Sequence, residues 1–127
     1  KRSLEISLKV ETIINNLIQS ESKNLYLLEI YNQVNELTKF SSNAILKLEK
    51  VDFDGDLKHI KNLESEFNIT KEKFEKIYSK TRILNKPDDY ILDQDHHHHP
   101  ANQTKNFDWQ FLSEIMLIKK IKETYKI

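Results

Sequence analysis

One glycine and two prolines in 127 residues leave this chain few means of reversing direction, and that scarcity limits what it can fold into. A β-rich fold needs a tight turn after every strand and places glycine or proline in many of them, whereas a few long helices need almost none. Apolar residues three and four apart through most of the chain point the same way, because that spacing lines up side chains on one side of a helix. The expected fold class is therefore all-α.

Taken in order, Ser3 is placed to cap a first helix running to about Gln19, with Ile6, Val10, Ile13 and Leu17, flanked by Ile14 and Ile18, as one buried stripe. Ser20, Glu21 and Ser22 interrupt the pattern, and Ser22 can cap the next helix. That second helix carries Leu27, Ile30, Val34, Leu37, Ser41, Ala44, Ile45, Leu48 and Val51 on one side, with Tyr26, Tyr31 and Phe40 as core or core-edge aromatics. Asp54-Gly55-Asp56 is the clearest turn: the single glycine sits where a left-handed residue ends one helix, and Asp56 caps the next. A third helix is expected from Leu57 to about Thr81, through Ile60, Leu63, Phe67, Phe74, Ile77 and Tyr78, with Lys71, Lys73, Glu75 and Lys76 on a solvated face. The glycosylation-type triplet Asn68-Ile69-Thr70 falls inside it and is expected to go unused. Asp108 can cap a fourth helix, with Phe107 and Leu112 as a hydrophobic staple and Phe111, Leu112, Ile115, Ile118, Ile121 and Tyr125 facing inward. Lys119, Lys120, Lys122 and Lys126 crowd its C-terminal end, where the helix dipole favours cations.

These segments predict an antiparallel four-helix bundle with two long and two shorter helices and a long ordered loop, about residues 83–107, before the last helix. Residues 1–127 form a single domain on this reading. The chain begins at Lys1, without methionine and already in a periodic segment, so it is expected to be a processed protein or a fragment of a larger polypeptide.

Twenty acidic and twenty basic residues balance, which removes the electrostatic footprint of a nucleic-acid or anionic-membrane binder. Cysteine is absent, so disulfides and thiol catalysis are excluded. No apolar run approaches the roughly 20 residues that span a bilayer. A glycine-rich phosphate loop, a Glu-x-x-His pair and a nucleophile elbow are all missing. The paired carboxylates Asp88 with Asp89 and Asp93 with Asp95 are ordinary in a chain this acidic, and no catalytic residue is assigned.

The most unusual stretch is the polar insertion Lys86 to Asn106, KPDDYILDQDHHHHPANQTKN. Loops of this length inside a compact domain are commonly functional or disordered. Tyr90, Ile91 and Leu92 can anchor it, and Trp109 stands at its exit. Asp93, Asp95, His96 and His98 are ligand types suited to a divalent transition metal. Adjacent histidines in an extended segment face opposite ways, however, so only His96 with His98, or His97 with His99, could share an ion, and Pro100 holds His99 toward an extended conformation. The simplest reading of the run is structural, through hydrogen bonds and stacking, ahead of polar contacts to a substrate or neighbouring domain and ahead of a metal. No cofactor is expected.

From Phe74 to Lys122 the segments FEKIYSKTR, NKPDDY, LDQDHHHHPAN and FDWQFLSE, in that order, resemble the helical C-terminal extension of some bacterial β-N-acetylhexosaminidase-type glycoside hydrolases. The resemblance covers roughly the last third of the chain. It implies a noncatalytic accessory module of an exported carbohydrate-active enzyme, packing against a barrel that carries the catalytic acids. The partner would be that catalytic domain in the same polypeptide, or a glycan, met through Tyr90, His96, His97, His98, His99, Asn102 and Trp109. A second class of function stays open: a free-standing bundle that binds a metal through the histidines or another protein through an exposed apolar groove. Oligomeric state depends on how much of the aromatic edge stays exposed.

Overall fold

The computed structural model describes residues 1–20, 23–81, 83–85 and 107–127, and all the regular structure among them is helical. Among the described residues four helices form a bundle: α1 (Arg2–Ser20), α2 (Leu25–Asp54), α3 (Leu63–Tyr78) and α4 (Leu112–Tyr125). Short 3₁₀ turns at Leu57–His59 and Phe107–Phe111 lead into α3 and α4. The expected cap Ser22 and the insertion 86–106 lie outside the described residues.

The 30-residue α2 is the spine of the molecule. At 1.5 Å per residue it is about 45 Å long, and its two opposite sides carry different neighbours. Phe40, Ala44 and Val51 face the core, which they share with Ile60, with Leu63, Phe67 and Phe74 around α3, with Phe107 and Phe111, and with Ile118 and Ile121 of α4. Aromatic rings bind this core together. Phe74 stacks on Tyr78 with ring centres 4.7 Å apart and meets Phe111 edge-on at 5.3 Å, while Phe67 lies 5.6 Å from Phe40. Such tilted and edge-on pairs add to the gain from burying their area.

The other side of α2 holds α1 through a seam of mixed polar and apolar side chains. Asn35 donates from Nδ2 to the Ser7 carbonyl at 2.9 Å, the Ser42 hydroxyl donates to that of Ser3 at 2.9 Å, and Lys39 pairs with Glu11. On α1 the residues turned to this seam are Leu4, Ser7, Glu11, Ile14 and Ile18, again three and four apart, of which Ser7 and Ile14 are buried. The expected stripe of Ile6, Val10, Ile13 and Leu17 is therefore not the packed one.

The glycine turn forms as its residues require. Gly55 has φ +71° and donates its N–H to the Val51 carbonyl at 2.7 Å, ending α2 in the left-handed region. A Cβ at Gly55 would meet nothing within 4 Å, so a replacement meets only backbone strain. Gly55→Ala is expected to cost about 1–2 kcal/mol in a urea titration, with an unchanged m-value.

The third helix differs from its expectation. Asp56 does act as a cap, its Oδ1 accepting the Lys58 N–H at 3.0 Å, but the segment it starts is a 3₁₀ turn, and α3 begins only at Leu63. Ile60, at the end of that turn, and Leu63, at the start of α3, are both in the core, at 1% and 2% exposed.

The start of α4 differs as well. Asp108 lies within the 3₁₀ turn Phe107–Phe111 and pairs with Lys71 at 2.7 Å, while the position before α4 is Phe111, with no side-chain cap. Lys71, expected on a solvated face, thus joins α3 to the entry of α4 and also lies 5.8 Å from the centre of the Phe111 ring. Leu112, expected to face inward, is exposed, whereas Ile118 and Ile121 are buried.

Candidate protein-interaction face

Side chains half-exposed on α1 and α2 form the most distinctive surface of the described residues. Ile6, Ile13 and Leu17 of α1 and Leu27, Tyr31, Val34 and Ile45 of α2 are 45–60% exposed. On α1 these residues follow 3–4 spacing with half-buried Val10 between them, and on α2 the strip continues from Val34 through Thr38 and Ser41 to Ile45. Tyr31 is therefore not a core-edge aromatic, unlike buried Phe40 or half-buried Tyr26, whose hydroxyl lies 2.6 Å from that of Thr81.

The two strips point the same way. The Asn35–Ser7 and Ser42–Ser3 contacts fix which faces meet and show that the helices run antiparallel. Counting about 100° per residue from those faces, Ile6, Ile13 and Leu17 project to the same side of the hairpin as Leu27, Tyr31, Val34 and Ile45. The result is an apolar surface across two helices, interrupted on α2 by Thr38 and Ser41 before it reaches Ile45. Taking about 100 Å² for each half-exposed large side chain, it amounts to about 700 Å². Patches beyond about 300–600 Å² are unusual on a monomer and mark interaction sites.

Two grooves flank this architecture. Between the start of α1 and the end of α2, a groove of 560 Å³ is lined by Leu4, Leu8, Leu46 and Phe53 with Lys47 and Lys50, and Phe53 is 92% exposed. Between α3 and α4, Phe67, Ile115 and Ile118 floor a groove of 390 Å³ edged by Lys71, Lys119, Lys122 and Glu64. Lys122 is engaged with Glu64 at 2.9 Å. Neither groove brings together groups suited to acid–base or nucleophilic chemistry.

Among the described residues titration is perturbed at two places, both within structural contacts. The hydrogen bond to Glu11 holds the Lys39 ammonium above its ordinary value, partly opposed by burial. At the glycine turn, the Asp56 N–H and then His59, whose Nε2 is 2.8 Å from Oδ2, hold the Asp54 carboxyl below its ordinary 3.8. The ionised form is the one favoured by folding, so this contribution is complete above the unfolded value and disappears as the pH falls through the lower folded value. A carbonyl-detected NMR titration is expected to place the Asp54 midpoint below 3.8. The stability difference between wild type and Asp54→Asn is expected to shrink in the same acid range.

Of the residues singled out from sequence, Tyr90, Asp93, Asp95, His96, His97, His98, His99 and Asn102 lie outside the described residues. Trp109 is half-buried in the 3₁₀ turn before α4. Among the described residues no group of three or more His, Asp or Glu side chains is placed to hold a metal ion, and no helix is long and apolar enough to cross a membrane. The α1–α2 face was missed as a site because its residues were assigned to the core. A signal did exist: α1 carries Leu4, Ile6, Leu8, Val10, Ile13, Ile14, Leu17 and Ile18, a spread wider than one helix–helix contact can cover.

Compared with protein-family models, with curated proteins and with solved structures, the chain matches none.

Proposed function

We propose that this chain is a noncatalytic interaction module, a helical bundle whose α1–α2 face is made to be covered by another protein surface. The observation that carries this reading is the strip Ile6, Ile13, Leu17, Leu27, Tyr31, Val34 and Ile45, set on helices that meet each other through a separate seam of mixed polar and apolar side chains. Beyond Leu4, Ile14 and Ile18, which α1 turns toward its neighbour, it leaves Ile6, Ile13 and Leu17 toward solvent, a second apolar face that the contact with α2 does not cover. The resemblance of the stretch from Phe74 to Lys122 adds an expectation about context. It begins within α3 and ends within α4, so a carbohydrate-active catalytic domain in the same polypeptide would meet the module at those helices, leaving the α1–α2 face for a separate contact.

The test uses the paired substitution Ile13→Glu with Tyr31→Glu. Both side chains are more than half exposed, so helicity by circular dichroism and the melting temperature are expected to stay close to wild type. Wild type is expected either to bury the face in an assembly or, as a monomer, to bind a hydrophobic dye such as bis-ANS on it, and the variant to do neither. A wild-type chain that sediments as a monomer and takes up no dye would remove this reading.

A further inference from the structure

We infer that the occupant of the α1–α2 face is a second copy of this chain, two hairpins stacking face to face as an intermolecular four-helix bundle. The inference rests on the reading of this face as an interaction surface and names its partner. Two observations favour a second copy.

The first is area. A stable dimer needs about 800 Å² from each partner, and the strip supplies about 700 Å² of apolar surface before any polar rim is counted.

The second is shape. Leu17 and Leu27 lie nearly level on adjacent antiparallel helices, as do Ile13 and Tyr31, given the Ser7–Asn35 and Ser3–Ser42 pairings. A two-fold axis parallel to the helices and midway between them then lays α1 of one copy over α2 of the other with like levels matched. This is the isologous arrangement of a cyclic dimer, in which Leu17 meets Leu27 of the mate twice. Because the overlying helices are antiparallel, the stack has the layout of an ordinary helical bundle.

Sedimentation equilibrium of the full chain at micromolar concentrations is expected to give twice the 15.2 kDa of one chain. Ile13→Glu with Tyr31→Glu should weaken the dimer at least about 100-fold while circular dichroism stays unchanged, since it places carboxylates in the centre of an apolar contact. The chain has no cysteine, so single-cysteine variants report geometry cleanly. A mixture of Leu17→Cys and Leu27→Cys chains should join through a short bismaleimide to a covalent dimer, and either variant alone far less. A monomer at 100-fold higher concentration, a dimer indifferent to the two glutamates, or equal cross-linking of each variant with itself would overturn the inference. If the chain is monomeric but binds bis-ANS in a way the glutamates abolish, the second copy is excluded while the interaction module stands. A monomer without dye binding removes both.

Discussion

Phe74→Ala is expected to cost about 3–5 kcal/mol of folding stability, the largest effect of any single truncation in this molecule. Phe74 has no exposed surface and stands between Tyr78, Phe107 and Phe111, with ring centres 4.7, 6.2 and 5.3 Å away. Removing the ring forfeits its transfer free energy and leaves a cavity whose walls belong to α3, to the 3₁₀ turn before α4 and to the turn's own packing on Tyr78. Those walls cannot all collapse inward, because Phe111 is held against Phe67 at 6.1 Å on its other side and Phe107 is tied to Asn85 through its N–H at 3.2 Å. A domain of this size has about 5–15 kcal/mol in total, so the loss would be a large share of it. Urea unfolding is the measurement, with Ile69→Ala as the control in the same helix. Ile69 is 55% exposed, and its truncation should stay within about 0.5 kcal/mol apart from its own modest helix-propensity term. A Phe74→Ala loss below about 1 kcal/mol would mean that the aromatic cluster does not hold α3 and α4 together.

Ala44→Leu is expected to destabilise by about 1–3 kcal/mol, although leucine is nearly as good a helix former and far more apolar. Ala44 is completely buried on the side of α2 that faces the core, one turn from Phe40 and one from Leu48. Burying a leucine could at best contribute about 2 kcal/mol, but only where space for it exists. Here a small side chain lets α2 lie close to the helices beneath it, and the added atoms must push α3 or α4 outward along the whole contact. Ala44→Gly separates the terms: it adds no volume and should cost about 1 kcal/mol through backbone freedom. Unfolding by heat and by urea, compared across wild type and the two variants, reads the result. An Ala44→Leu variant more stable than wild type would mean that the helices do not approach each other at this position.

Much of the fold was legible because helical periodicity is a local property. Phe67, Phe74, Phe111, Ile118 and Ile121 recur at helical spacing in segments free of glycine and proline, and all of them are in the core. Gly55 followed from the same logic, since a lone glycine after a helical run and just before a capping aspartate has one natural use. The joints were less legible. The 3₁₀ entries to α3 and α4 depend on where Ile60 and Phe107 must be buried, and the pairing of Asp108 with Lys71, in place of a cap, depends on side chains 37 positions apart in the chain meeting in space.

The candidate site was legible only as a pattern with the wrong address. Ile6, Ile13 and Leu17, with Leu27 and Val34, were recognised as stripes that require burial, and the sequence by itself determined that much: helices, their approximate limits, the glycine turn, and which residues are too apolar to prefer water. Only the tertiary structure decided which stripe meets which. Two stripes on α1 lie about a quarter-turn apart, and the one placed against α2 carries Leu4, Ile14 and Ile18 together with Ser7 and Glu11, where Asn35 meets the Ser7 carbonyl, Ser42 meets Ser3 and Lys39 meets Glu11. Periodicity measures an angle around one helix axis and carries no information about the distance to another, so it can state that a surface is made for contact without stating that the contact lies within the same chain.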